Sequence, residues 1–278
     1  MIKNEIFSGE RPLYRQKGIE LAECSFTEGE SAVKEGRSIS SVKCSFDSKY
    51  PFWHCRDIVI DQAVFVQGAR AAIWYSHNIQ LKNSKITAPK IFRDASHILI
   101  ENTEMTTEET LWDCDKVTIK NTRYTGEYVL FHSTNVSLEN FSLEGKYSFQ
   151  HTKNLEMRNS RIKSKDAFWN GENITVYDSV LEGEYLGWYS KNLKLVNCTI
   201  IGEQPLCYCE HLILENCKMI DTDLCFELSD IHASVTTTID SVKNPKSGYL
   251  SARGIKELII EESEVDKSLT KIEVYDEL

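Results

Sequence analysis

No stretch of 18 consecutive apolar residues occurs in this chain, which excludes a transmembrane helix of ordinary length. The opening Met1-Ile2-Lys3-Asn4-Glu5 has no apolar h-region and no small-residue cleavage site. The expectation is a chain without a secretory signal, located in the cytoplasm. A basic surplus is also missing: 32 Lys and Arg face 42 Asp and Glu, for a net charge of −10. Wrapping on nucleic acid needs a basic footprint, so neither nucleic acid nor membrane is expected as a partner. The nine cysteines contain no Cys-x-x-Cys pair, and their number is odd. A disulfide framework, a structural zinc site and an iron–sulfur site all lack their spacing. Free buried thiols in a reducing compartment are expected, with no cofactor and no resident metal.

What the sequence does have is a repeat. The segment Asn78-Ile79-Gln80-Leu81-Lys82-Asn83-Ser84-Lys85-Ile86 returns 19 residues later as His97-Ile98-Leu99-Ile100-Glu101-Asn102-Thr103-Glu104-Met105. The frame starts again at Lys116, Asn135, Asn154, Asn173, Asn192 and His211, always 19 residues on. Weaker copies begin at Gly18, Ser38 and Asp57 before this block, and at Asp230 and Gly254 after it. Within each copy apolar and polar residues alternate with period two, the signature of a half-buried strand. The three- and four-residue spacing of a helix is absent.

Each copy bends at one residue type: Asn83, Asn102, Asn121, Asn140, Asn159, Asn197 and Asn216, with Asp178 in the remaining place. Asparagine tolerates the left-handed conformation of a sharp turn. Stacked at the ~4.8 Å spacing of strands, these amides are expected to form an internal asparagine ladder. The residue after each bend is usually small (Cys24, Cys44, Ala63, Ser84, Thr103, Thr122, Ser160, Ser179, Cys198, Cys217) and suits a crowded inner corner. A second bend carries Gly29, Gly126, Gly145, Gly183 and Gly202, where positive φ is expected. A third segment supplies an inward column (Phe52, Ile73, Phe92, Leu111, Leu130, Phe149, Phe168, Leu206) and, next to it, an aromatic-rich column expected to point outward.

A 19-residue period with three short strands per coil predicts an all-β fold. It is a single-stranded right-handed parallel β-helix, a solenoid of about twelve coils, because one coil cannot bury its own core and stacking does so. Left-handed β-helices use six-residue periods, absent here. Leucine-rich repeats place asparagine differently and need a helical return. The chain is read as one domain over 1–278: a cap over 1–14, regular coils over 15–233, and an irregular last coil with a C-terminal cap over 234–278. Ser234 to Tyr249 is expected to be a loop or hairpin, and Lys271 to Tyr275 a terminal strand.

The I-x-L-x-N-S-x-I units, such as Ile79 to Ile86 and Leu193 to Ile200, together with the asparagine turns, resemble the pectin-lyase-like superfamily of right-handed β-helices. Phe7-Ser8-Gly9-Glu10-Arg11-Pro12-Leu13-Tyr14 and Pro51-Phe52-Trp53-His54-Cys55 resemble a bacterial domain-of-unknown-function family, number 3737, over roughly residues 5–265. The superfamily resemblance implies the fold. Its enzymes cleave acidic polysaccharides, lyases with an Arg or Lys base beside a Ca²⁺-binding acidic cluster, hydrolases with several Asp. Neither motif set is present. No Asn-Thr-Asp or Gly-x-Asp-Asp segment occurs, so no catalytic residue carries over from the resemblance.

The candidate site is read from the columns. The outward row contains Trp53, Trp74, Arg93, Trp112, Phe131, Gln150, Trp169 and Trp188; the next column contains His54, Tyr75, Asp94, Asp113, His132, His151, Asn170, Tyr189 and Tyr208. Trp53, Trp74, Trp112, Phe131, Trp169, Trp188, Tyr75 and Tyr189 are the candidate substrate-binding residues, since aromatic faces stack on sugar rings. Asp94, Asp113, His132 and His151, with Arg93 beside Asp94, are the candidate catalytic residues. Two carboxylates about 5 Å apart raise one pKa, and a retaining glycosidase needs that separation. Asp113 and His132 could equally act as acid and base, or the four residues could ligate a divalent metal. A further column holds Tyr50, Tyr128, Tyr147, Asp166 and Tyr185.

Two functions follow. One is a carbohydrate-active or carbohydrate-binding protein with a saccharide ligand in an aromatic groove, acting as a hydrolase or lyase of polysaccharide or oligosaccharide where it is an enzyme. The other is a non-catalytic protein whose aromatic stripe is a partner or homo-oligomer interface. Stacked aromatics also stabilise parallel β-helices without any ligand.

Overall fold

The computed structural model describes residues 1–275. The chain folds as an all-β parallel solenoid of the right-handed type, with about 14 turns at ~19-residue spacing. No α-helix occurs among the described residues, where one 3₁₀ turn, Lys267–Leu269, is the helical element. Two compact units divide the chain, Met1–Ser137 and Leu138–Leu278.

In the N-terminal unit the first strand of each coil pairs in parallel with its counterpart in the next. Arg37–Val42, Arg56–Asp61, His77–Lys82 and Ser96–Glu101 follow one another, with Ile39↔Ile58, Ile58↔Ile79 and Ile79↔Ile98 as register partners. The alternating pattern works as predicted: Ile58, Ile60, Ile79, Leu81, Ile98 and Ile100 are buried. A second strand follows each bend. Its inward side chains stack through the first four coils, Phe7 on Phe26 and Phe26 on Phe46 at 5.0 Å, and Phe46 on Phe65 at 4.7 Å, before Ile86 and Met105 continue the column. Rings at these separations add to the burial of their own area.

The asparagines of the bend do have left-handed backbones, φ 49° at Asn83 and 51° at Asn102. Their side chains are exposed, not internal. Asn102 donates to the Asn83 Oδ1 at 3.3 Å and Asn83 donates to Asp61 at 2.7 Å, but on the outer surface. The interior corner belongs to the next residue. Ser84, Thr103 and Thr122 are buried, and each hydroxyl donates to the carbonyl two residues earlier, at 2.6, 2.9 and 2.8 Å. A left-handed residue at the corner turns its own side chain out and the following one in. Period-two alternation alone does not resolve that.

Cysteine completes these inner columns. All nine thiols are free and buried. Cys55 and Ser76 occupy equivalent places, with the Cys55 Sγ on the Val33 carbonyl at 3.1 Å and the Ser76 Oγ donating to the Phe52 carbonyl at 2.8 Å. Burial pushes the thiols of Cys55 and Cys114 up to about 12.

The third side of the coil is less regular than three strands per coil would require. Short strands occur at Ile73–Trp74 and Phe92–Arg93. In the C-terminal unit the equivalent stretch is turn, because alternate residues such as Tyr147, Phe149 and His151 have φ of 51°, 61° and 56°, which breaks extended backbone. Not every glycine of the second bend has positive φ. Gly29 does, at 126°, and an added Cβ would meet the Gly9 carbonyl. Gly126 does not, and its size is limited instead by the Thr107 carbonyl and the Tyr124 hydroxyl.

Coils extend beyond the expected regular block. Ile6–Glu10 pairs in parallel with Ser25–Glu30, so residues assigned to a cap form a first rung. In the C-terminal unit Lys153–Arg158, Glu172–Tyr177 and Lys191–Val196 continue the same ladder pattern. There the segment expected as a loop or hairpin is strand: Asp230–Lys243 pairs in parallel with Ser247–Ile259, which excludes a hairpin. Thr270–Val274 is the expected terminal strand and pairs with the one before it. Of the C-terminal cap expected over 234–278, residues 276–278 lie outside the described residues.

Candidate functional site

The outward row of the N-terminal unit sits beside the inward column, so its side chains emerge half-buried at the surface: Trp53, Trp74, Arg93, Trp112 and Phe131 are all in that state. They lie on one another. Trp53 and Trp74 stack at 5.5 Å, the Arg93 guanidinium sits 5.3 Å from the Trp74 ring and 5.4 Å from the Trp112 ring, and Trp112 meets Phe131 at 4.9 Å. Arg93 thus fills the gap in an aromatic run as a cation held between two faces. One consequence corrects the simple picture of a sugar platform. Within the run the rings lie against one another or against Arg93, which leaves less ring face free for a ligand.

Two indoles of the run differ at their nitrogens. Trp74 donates to the Lys90 carbonyl at 2.9 Å. The corresponding acceptor for Trp112 would be Tyr128, sixteen residues on, but the Tyr124 hydroxyl lies 2.9 Å from that carbonyl. The Trp112 Nε1 is buried without a hydrogen-bond partner.

The next column faces outward with a left-handed backbone at every rung: φ is 55° at His54 and Tyr75, 48° at Asp94, 53° at Asp113 and 55° at His132. Asp, Asn and His are the non-glycine residues that adopt this conformation most readily, so the turn itself favours the residue types seen. His54 and Tyr75 stack at 5.0 Å. Asp94 pairs with Arg93 at 3.6 Å, and Asp113 lies 3.6 Å from the His132 Nδ1, which makes an ion pair when the imidazole is protonated. His132 also stacks on Phe131 at 4.2 Å. The carboxylates are open to solvent, 42% and 39% exposed at the side chain. Among the described residues no three His, Cys, Asp or Glu side chains gather as a metal would require, which removes the support for metal ligation by Asp94, Asp113, His132 and His151.

In the C-terminal unit Trp169 and Trp188 pack at 5.4 Å, and Tyr189 stacks on Tyr208 at 4.8 Å. His151 belongs to this unit, with its backbone N–H on the Trp169 carbonyl at 2.8 Å. Asp166, from the further column, has its carboxyl pushed up by burial.

Reading columns from the regular block missed a concavity. A groove of about 810 Å³ lies at the N-terminal end of the outward column, lined by His54 and Tyr75 and by Lys17, Arg37, Arg56 and His77. The signal was present, but the coil steps of 20, 19 and 21 residues in this region conceal a column that a constant period would expose.

The sequence matches the family described as Protein of unknown function (DUF3737) over residues 1–273. This chain belongs to the DUF3737 family. No curated protein matches the DUF3737 chain. Among solved structures it is similar to PfbA, a surface adhesin of Streptococcus pneumoniae, at 11% identity with a TM-score of 0.42, over 89% of this chain and 71% of that one. Tailspike protein 3 of bacteriophage CBA120 aligns at 11% identity and a TM-score of 0.43, over 98% of this chain and 56% of that one. A mannuronic acid specific polysaccharide family 6 lyase from human gut microbiota aligns at 10% identity and a TM-score of 0.31, over 95% and 76%.

Proposed function

We propose that this DUF3737 chain binds a saccharide on the outward face of its N-terminal unit, in the groove that His54 and Tyr75 border. The observation that carries this is the groove itself: a concavity of about 810 Å³ in which aromatic rings and hydrogen-bonding side chains converge. That combination suits a small polar ligand with apolar ring faces. The Trp53–Trp74 stack supports Tyr75 from behind, with Tyr75 edge-on to Trp53 at 5.2 Å, and so holds the phenol ring rigid. Asp94, Asp113 and His132 extend the same column as a row of hydroxyl-binding groups. Hydrolysis or lysis is the finer version of this reading, and Asp113 with His132 is the pair that would exchange the proton.

The interface reading has less to rest on. The stripe rings cover one another, and of the candidate aromatic residues only Tyr189, at 42%, is among the strongly exposed large apolar side chains.

The test is a glycan array followed by calorimetry with the best binder. Wild-type chain is expected to bind, and Tyr75→Ala to lose binding while keeping its circular dichroism spectrum. Release of reducing ends or of unsaturated product, lost in Asp113→Asn, adds catalysis. An array with no binder overturns the proposal.

A further inference from the structure

The first-strand column of the N-terminal unit begins Lys17, Arg37, Arg56, His77. Lys17 bridges to Arg37 in parallel, and Arg37↔Arg56 and Arg56↔His77 are register partners. Three cations and an imidazole are therefore stacked one strand spacing apart, about 4.8 Å. Like charges placed directly opposite on neighbouring strands destabilise a sheet. Among the described residues the side chains of Lys17, Arg37 and Arg56 make no ion pair, and all three are exposed. Glu35, the acidic residue lining the groove, is already taken by Arg15 at 2.7 Å and by the Tyr14 hydroxyl at 3.2 Å. This happens on a chain of net charge −10, where carboxylates are plentiful.

We propose that Lys17, Arg37 and Arg56 form a binding site for a phosphoryl group, carried by the ligand that occupies this groove. The identification of that ligand as a sugar rests on the function proposed above; the oxyanion site does not. Three uncompensated cations match a dianion with hydrogen-bonding oxygens on several sides, and a single carboxylate would leave two of them unneutralised. Arginine forks suit phosphate oxygens in bidentate fashion, and lysine adds a point charge. His77 sits at the end of the column with its Nδ1 on the Ser96 hydroxyl at 2.9 Å. Burial and Arg56 lower its pKa, so it meets the ligand as a neutral hydrogen-bonding group near pH 7. Tyr75 and His54 add rings to the lining of the same groove. A ligand with a phosphoryl group at one end and a ring at the other meets both.

The experiment is calorimetry on the full chain with four probes: inorganic phosphate, glucose 6-phosphate, glucuronate and glucose. Inorganic phosphate and glucose 6-phosphate are expected to bind, more weakly as salt rises. Arg37→Gln/Arg56→Gln is expected to weaken both by about tenfold or more, a loss of 1.4 kcal/mol at tenfold, with a thermal midpoint in the absence of ligand that is no lower than wild type, since the opposed charges are gone. Tighter binding of glucuronate than of glucose 6-phosphate overturns the phosphoryl assignment in favour of a carboxylate. No binding of inorganic phosphate, or equal binding by the double variant, overturns the site. Binding of phosphate without any contribution from glucose supports the oxyanion site and removes the sugar reading alone.

Discussion

The two units carry the same repeat and fill the same column with opposite electrostatic logic. In the N-terminal unit the column runs Lys17, Arg37, Arg56, His77, and it borders a groove of about 810 Å³. In the C-terminal unit the same frame position runs Lys153, Glu172, Lys191, Glu210, where Lys153 pairs with Glu172 at 2.8 Å and Lys191 with Glu210 at 3.1 Å. A concavity there, of about 320 Å³, is lined by Glu210, His211, Asp230 and Lys246, with His211 on Asp230 at 3.0 Å. One column neutralises itself by alternation and the other does not. The fold tolerates both, so the cationic run is not a demand of the solenoid.

The comparison breaks most severely in the interior. The second-strand column begins as a ring stack in one unit, with Phe46 fully buried between Phe26 and Phe65. In the other unit the column is aliphatic, with Leu181 fully buried and aligned with Ile162 and Ile200. Phe46→Ala is expected to cost about 3–5 kcal/mol and Leu181→Ala about 2–5 kcal/mol, read as shifts in urea midpoint. Equal tolerance of both substitutions would mean that neither column is a close-packed core.

Next in size are the inner hydroxyls. Ser76→Ala leaves the Cys55 N–H, which donates to the Ser76 Oγ at 2.9 Å, without its acceptor. The expected cost is about 1–3 kcal/mol. Ser190→Ala, the counterpart in the C-terminal unit, strips a donor from the Phe168 carbonyl at 2.9 Å and should behave alike.

The thiols give a pH test. Burial raises Cys55 and Cys114 to about 12 in one unit, and Cys198 to about 11 with Cys207 and Cys217 to about 12 in the other. The folded chain holds these protons where the unfolded chain releases them. Stability is therefore whole below the unfolded value near 8.5 and is lost as pH rises from there towards the folded values. Denaturant midpoints should fall steadily between pH 8 and about pH 10.5, and labelling by a thiol reagent at pH 8 should be slow until the chain unfolds. Rapid labelling of all nine would contradict the burial.

The smallest effect belongs to the surface. Glu172→Gln removes the Lys153–Glu172 pair at 2.8 Å, yet the carboxylate is solvated and exposed pairs contribute little. No measurable change in midpoint is expected. By contrast the exchange of Glu210 for Arg extends cation repulsion into the C-terminal column, and should raise phosphate affinity there only if charge alone creates the site.

The strands were legible because apolar alternation at a constant period fixes register: Ile79 does meet Ile98 and Leu81 does meet Ile100. The side of the asparagines was not legible. Asn83 is chosen for its backbone, and where its amide points follows from the turn geometry rather than from its polarity. The aromatic row was found, but its self-stacking was not, because a column of residues says which rings are adjacent and not which surfaces they spend on one another. The cationic groove escaped for a third reason. Irregular steps put Lys17, Arg37, Arg56 and His77 in line in space while keeping them out of line in the text.

The left-handed corner that carries Asp94, Asp113 and His132 has an evolutionary reach. Aspartate, asparagine and histidine share a low conformational penalty at that corner, so one can replace another there without any rung of the ladder registering the change. An acid, a base or a neutral hydrogen-bonding group can thus be swapped in, one coil at a time, on a scaffold indifferent to the choice. New chemistry on such a chain would arise by relettering a column, with no loop to lengthen and no core to repack.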